Sequence, residues 1–367
     1  MRIAHVVAQR VESPRSGYAM RSWTISTALA AVGDLVIVNV GSDPHDGDEP
    51  DTMALGRMRT AAYVRVAPPD LARWSAGQRL DAVIGDETAL APWIVGASAR
   101  KRIVNSQNVE SEVARAHADR EAGELRALHT RRARGFELIE RAVLPQCDQV
   151  WVVSRSDADA LAGHVDLRSI RVVPNVVPDW APVRRVPARG HGVYFGSLWY
   201  EPNQDAVREL LAVSEALDRR GLPHRFTVAG AGAPPWLVNE IERRSVIDAP
   251  GFVVDLDGLL ARASGAVLPV RYGGGSMVKL VAALRAGCPV VTTPQGARGI
   301  TGLEDGENVV IRPLGESFVD AVAELMSEPD RYDRLGKAGA ELVHTHYSLD
   351  VLEMLLAELL AEETAGA

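Results

Sequence analysis

Lysine is scarce in this chain. Of its 40 basic residues only Lys101, Lys279 and Lys337 are lysines, a bias that follows a GC-rich coding sequence and leaves arginine abundance with little functional weight. Cysteine is scarcer still. Cys147 and Cys288 have no CxxC spacing, which argues against a disulfide framework or a structural zinc site and fits a reducing cytoplasm. An excess of positive charge is also missing: the net charge of -8 and pI near 5.7 supply no global field for a nucleic-acid backbone, so nucleic acid is not an expected partner. No segment approaches the roughly 20 apolar residues of a membrane-spanning helix. The apolar run in MRIAHVVAQR is too short for a signal peptide.

What is present is an alternation of strand and helix, made twice. At 367 residues the chain suits two domains of about 150 to 200 residues each. IAHVV, LVIVNVG, YVRVA, DAVIGD, RIVNSQ, QVWVVS and IRVVPN read as short buried strands with helical stretches between several of them. The longest helical stretch covers about 109–145 and is amphipathic. PNVVPDWAPVRRVPARG (174–190) has four prolines and no apolar period, and reads as an interdomain linker. The alternation then restarts with GVYFGS and RFTVAGAG, and runs through GAVLPV and PVVTTP to three terminal helices. The last of these opens after Ser348 with leucines 349, 352, 356 and 360 on one stripe. Two doubly wound α/β domains follow, with ligands expected beyond the carboxyl ends of the strands and in the cleft between domains.

The chemistry concentrates in PVRYGGGSMVKLVAALRAGC (269–288). An apolar strand runs into three glycines and then a helix. Gly274 and Gly275 allow close backbone approach, and Ser276 would open a helix whose positive end faces a ligand. Arg271 and Lys279 flank this point and together could neutralise a diphosphate. Other signals are weaker. AGAGAP (229–234) reads as an ordinary strand-to-helix turn, DLD (255–257) as helix capping, and HTH (344–346) lacks the spacing of a metal site. HTRRAR (129–134) has acids on both sides. It reads as a solvated face, and a peripheral membrane contact is not favoured.

Taken in order, these segments resemble a GT-B fold glycosyltransferase, similar to glycosyltransferase family 4. The resemblance rests on LHTRRARGFELIERAVLPQCDQVWVVSRSDADAL, VYFGSLWYEPNQDAV and GGGSMVKLVAALRAGCPVVTTPQGARGITGLEDGENVVI. It implies two Rossmann-like domains facing across a cleft. Residues 1–183 would form the acceptor-side domain and residues 184–347 the donor-binding domain, with helix 348–367 packing back on the first. It also implies a nucleotide-diphosphate sugar donor, a glycan, lipid or small-molecule acceptor, and a retaining reaction without metal or other cofactor. Arg271 and Lys279 would hold the diphosphate with Gly196 and Ser197. Gly17 would approach the phosphates and acceptor, and Val253 would meet the nucleobase.

Three departures bear on activity. The family places two acids eight positions apart where this chain has Gly274 and Ala282, and the second acid grips the ribose. In SQNVES (106–111), Glu110 matches the family's His-Asn-x-Glu segment, but Gln107 stands at the histidine. An amide can hydrogen-bond a sugar hydroxyl yet cannot exchange protons near neutral pH. Finally, Ser197 stands where many members carry a cation. Sugar transfer remains the expectation. A catalytically silent homologue that binds or scaffolds is the alternative, and a nucleotide-sugar epimerase a more distant one.

Overall fold

A computed structural model describes residues 1–11, 17–41, 52–55, 59–178, 184–274 and 277–363. The chain divides into two compact units. The first takes in Met1–Val176 and the C-terminal helix, and the second Val177–Gly273 and Met277–Ser348.

In the first unit the order is β1 (Arg2–Val7), α1 (Gly17–Val32), β2 (Asp34–Asn39), β3 (Thr52–Leu55), β4 (Arg59–Arg65), α2 (Leu71–Ala76), β5 (Leu80–Gly85), α3 (Ala91–Ile94), β6 (Ala99–Ser106), α4 (Glu110–Ala118), α5 (Gly123–Ala142), β7 (Gln149–Val152), α6 (Arg155–Leu161) and β8 (Ile170–Val172). Among the described residues these strands form one sheet in the order β3-β4-β2-β1-β5-β6-β7-β8, parallel except for β3. β1, β2 and β5 are buried almost end to end, which is why they read as continuous apolar runs and not as alternating ones. The order reverses between β1 and β5, so the crevice of this unit opens at their carboxyl ends.

The second unit runs β9 (Ala188–Phe195), α7 (Glu201–Arg219), β10 (Arg225–Ala229), α8 (Pro235–Glu242), β11 (Ile247–Gly251), α9 (Leu256–Arg262), β12 (Ala263–Leu268), α10 (Val278–Arg285), β13 (Val290–Thr292), α11 (Pro294–Ala297), β14 (Val310–Ile311), α12 (Glu316–Ser327) and α13 (Pro329–His346). Its sheet is parallel throughout, in the order β11-β10-β9-β12-β13-β14, and reverses between β9 and β12. Phe226, Leu210, Val267, Leu280 and Phe318 lie at the centre of its core.

Two local expectations change. The single helix expected over 109–145 is two helices, because the chain turns after Ala118 and restarts at Gly123, where φ is +58°. The expected linker at 174–190 is shorter than its prolines suggest. Val176 is buried in the first unit's core and Val177 in the second's, and β9 already begins at Ala188. The chain passes from one compact unit to the other between Val176 and Val177. Asp255 caps α9 by accepting from the Gly258 backbone N–H at 2.8 Å, which is the work expected of DLD.

The last helix, α14 (Leu349–Ala361), lies in the first unit. Leu349, Leu352, Leu356, Leu359 and Leu360 are buried with Ile3, Ile25, Leu29 and Ile37. α1 is thereby enclosed on almost every side, and its polar residues Arg21, Ser22, Thr24, Ser26 and Thr27 are buried along with its apolar ones. The carboxyl end of α14 is held by three side chains. Lys101 Nζ donates to the carbonyls of Leu359 (3.1 Å) and Leu360 (2.7 Å), and Gln149 Nε2 to Leu359 (3.0 Å). Arg171 pairs with Glu362 at 2.6 Å. These cations and donors satisfy carbonyls that a helix end leaves unpaired and complement its dipole. No described helix is long and apolar enough to cross a membrane.

Truncating Leu356, which has no exposed surface, should cost about 2–5 kcal/mol through lost burial and the cavity left behind. Urea denaturation measures this directly; a loss below about 1 kcal/mol would show that α14 is not part of the first unit's core.

Candidate functional site

Each unit places polar residues where its sheet reverses, and the second unit's set is the more unusual. Lys279 is the second residue of α10 and is half-buried, with its ammonium set against Tyr194 and Asn203. Its ammonium donates to Tyr194 Oη at 3.0 Å and to Asn203 Oδ1, and stands 4.8 Å from the centre of the Tyr194 ring. Tyr194 Oη in turn donates to Asn203 Oδ1 at 3.0 Å. Both partners are neutral, and burial pushes the tyrosine's pKa further up. Among the described residues no carboxylate touches Lys279, and desolvation lowers its pKa to about 7.

The surrounding backbone leaves space at this cation. A Cβ on Gly196 would lie 3.0 Å from both Lys279 Nζ and Asn203 Nδ2, so glycine keeps the approach open. Ser197 follows, its carbonyl accepting from Asn203 Nδ2 at 2.8 Å. Arg271, in the loop after β12, has a different environment: it pairs with Glu209 and lies 3.8 Å from Asp205, both on α7. The loop is pinned by Tyr272 Oη on Glu201 (3.0 Å) and by Gln295 Nε2 on the Gly273 carbonyl (3.0 Å).

Gly196, Ser197, Arg271 and Lys279 thus gather at one sheet end. Val253 follows β11 with its side chain partly buried on the core. Ala282 is 5% exposed and sits among core residues, so a carboxylate at that position would be desolvated. Gly274 groups with the first unit, and Gly275 and Ser276 lie outside the described residues. Tyr194 and Asn203, which the sequence reading did not single out, are the direct partners of Lys279. The signal was available, since Asn203 lies in the same WYEPNQDA segment that carried the resemblance.

The first unit holds a buried polar network at its own reversal point. Asp86, the residue after β5, accepts from Ser22 Oγ and, at 2.6 Å, from Asn105 Nδ2; His5 Nε2 lies 3.5 Å away. Arg21 donates to Asn105 Oδ1 (2.5 Å), Asn175 Oδ1 (3.0 Å) and the Val173 carbonyl (3.0 Å). Burial lowers the arginine's pKa to about 10, against the pull of Asp86 and Asp157, so it stays charged at neutral pH. Asn105 therefore bridges a buried cation and a buried anion, which is the arrangement such charges require. None of these groups was foreseen from sequence. Gln107, at the end of β6, donates Nε2 to the Asp86 carbonyl at 3.0 Å. Glu110 opens α4; burial raises its pKa, partly offset by Asn108 Nδ2 at 3.2 Å. Gly17 is the first residue of α1.

The state of Lys279 has opposite consequences for stability and for binding. Between pH 7 and the ordinary lysine value near 10.4, the unfolded chain holds a proton that the folded site does not. This group therefore makes the fold more stable as pH rises through that window. An anion needs the ammonium, so above pH 7 its binding must take up a proton. Affinity for a nucleoside diphosphate should fall above pH 7, by up to about tenfold per unit, and titrations in buffers of different ionisation enthalpy should show proton uptake. Affinity that stays level from pH 7 to 9, without proton uptake, would exclude Lys279 as the anion's partner.

Residues 189–328 match the protein family described as Glycosyl transferases group 1. No curated protein matches the chain. Among solved structures it resembles sucrose-phosphate synthase from Thermosynechococcus elongatus, with a TM-score of 0.74 and 14% identity over 98% of each chain. It also resembles WaaG, a glycosyltransferase involved in lipopolysaccharide biosynthesis, with a TM-score of 0.70 and 16% identity over 98% of this chain and 99% of that one. HepE from Anabaena, solved with UDP and glucose, gives 0.68 and 12% over 98% and 99%. The fold is that of the GT-B glycosyltransferases, and the segment that matches Glycosyl transferases group 1 lies in the second unit.

Proposed function

We propose that this chain moves a sugar from a nucleotide-diphosphate donor to an acceptor hydroxyl of a glycan, lipid or small molecule. The observation that carries the reading is Lys279: a half-buried lysine whose ammonium has only neutral partners among the described residues, beside a glycine that keeps its approach open, in the domain that matches the glycosyltransferase family. Its missing counter-charge is what a diphosphate supplies. Arg271 provides a second cation by exchanging Glu209 for a phosphate oxygen.

Cleavage of the bond from sugar C1 to the phosphate oxygen leaves negative charge on the diphosphate and positive charge at C1. The acceptor oxygen bonds to C1, and its proton passes to the leaving phosphate. Fixed positive charge at the diphosphate lowers this barrier, and no pair of positioned carboxylates is needed. A retaining outcome is consistent with that route. Because Lys279 and Arg271 supply the charge, the reading requires no metal. Two cysteines without a partner motif suit the cytoplasm as the site of action. The burial of Ala282 in the core favours a ribose held by other groups, and it keeps the silent homologue as the second reading.

A thermal-shift screen of nucleotide sugars should find a stabilising donor, with UDP-glucose a sensible first probe because HepE was also solved with it. A donor at a hundred times its Kd adds about 2.7 kcal/mol. Lys279→Ala or Arg271→Ala should each cost about 1.5–3 kcal/mol of nucleoside diphosphate binding, and EDTA should leave sugar transfer unchanged. Parent-like binding by both variants would reject the diphosphate assignment. Donor binding without transfer to any acceptor or to water would favour the silent homologue.

A further inference from the structure

Arg271 faces two carboxylates that stand in unequal positions. On α7, Glu201, Asp205 and Glu209 follow one another at four-residue spacing, which sets them along one face of the helix. That face meets the loop after β12. Glu201 accepts from Tyr272 Oη at 3.0 Å, Glu209 Oε1 accepts from Arg271 Nη2, and Asp205 Oδ2 lies 3.8 Å from Arg271 Nε. Glu209 therefore has a hydrogen bond to the guanidinium, whereas Asp205 has a charge contact that falls short of one. Asp205 Oδ2 is buried all the same, and it has no hydrogen-bond partner among the described residues.

A buried acceptor without a donor keeps its full desolvation penalty. A shift of roughly 1 Å in the guanidinium would bring Nε within hydrogen-bond reach of that oxygen. The Arg271 side chain is half-exposed, so its pair with Glu209 contributes little net stability and is easily exchanged. Asp205 also belongs to the surroundings of Lys279. Burial and then the charge of Asp205 push up the pKa of Tyr194, whose Oη accepts from the lysine.

From this geometry we infer that Arg271 has two positions, one held off the ligand by Glu209 and one set on the diphosphate by Asp205. Glu209 is the displaceable counter-ion, and Asp205 is the positioning residue. The inference rests on the proposed diphosphate site and adds how the affinity of that site is set. In the free protein Nη2 stays on Glu209. When a diphosphate enters, Nη2 turns to a phosphate oxygen, Nε closes on Asp205 Oδ2, and the buried acceptor gains its donor. One guanidinium can do both, because its N–H groups form a rigid planar fork with separate edges.

The two acids should then act in opposite directions. Simple charge would not do this, since removing either carboxylate beside an anion site would raise anion affinity. Calorimetric titration with UDP, ADP and GDP selects the tightest nucleoside diphosphate, which is used throughout. Glu209→Gln should tighten its binding by about threefold or more. Asp205→Asn also removes a negative charge, yet it should weaken binding by about threefold or more. Asp205→Ser, expected to show the same loss, replaces it if the Asn variant does not fold. Both effects should shrink to less than about twofold when Arg271 is already alanine, with ligand-observed NMR covering the weak affinities of that background. A purely structural role for either acid would persist there.

Two acids acting in the same direction would overturn the inference. So would effects that survive in the Arg271→Ala background, or a change smaller than about threefold at either acid. Nucleotide binding that depends on Lys279 but ignores both acids would sink this inference and leave the proposed function standing. A parent that binds no nucleoside diphosphate would sink both.

Discussion

Drawing an ammonium group away from water without a carboxylate beside it is costly, and among its described residues the second unit does so at the half-buried Lys279. The cost is moderated by a tyrosine hydroxyl, an asparagine carbonyl oxygen and the face of an aromatic ring, none of which carries charge. Natural cores avoid such an arrangement unless a ligand completes it. The rest of the site follows from that constraint. Gly196 must lack a side chain, α7 must present Asn203, and the lysine must sit in the first turn of α10, all where the strand order reverses.

Arg271 illustrates the contrasting solution. It is more exposed and already paired with α7 carboxylates, so it neither stores desolvation energy nor compels a ligand. The two cations thus differ: in the proposed reading an anion would supply the charge that the neutral partners of Lys279 lack, while Arg271 would exchange a carboxylate for it. In the first unit the charges are instead balanced internally. Arg21 and Asp86 are joined through Asn105, and the product of that balance is a rigid carbonyl that orients Gln107.

Much of the architecture was legible because parallel strands buried on both faces write themselves as apolar runs, as LVIVNVG and GAVLPV do. The C-terminal helix was legible from its leucine stripe. Gly123 was not read as a break, because a helical period continues on both sides of it. Val176 and Val177 were hidden among prolines, although each fills a different core. The donor-side cations could be named from sequence since glycine runs before a helix have a direct physical meaning. Asp86, Arg21 and His5 could not. Each stands alone in the sequence, and only the sheet order brings β1, β5, β6 and α1 to one point. Nor could sequence show that Arg271 faces carboxylates while the described partners of Lys279 are neutral.

The scarcity of lysine makes the central claim directly measurable. With only three lysines in the chain, selective isotope labelling gives three side-chain NMR signals, of which Lys337 is exposed, Lys101 buried and Lys279 half-buried. Titration followed at the carbon bearing each ammonium gives the three pKa values with and without UDP. The account predicts that Lys279 titrates near pH 7 in the free protein and moves upward when UDP binds. A Lys279 signal titrating near the ordinary value of about 10.4, unmoved by UDP, would contradict it.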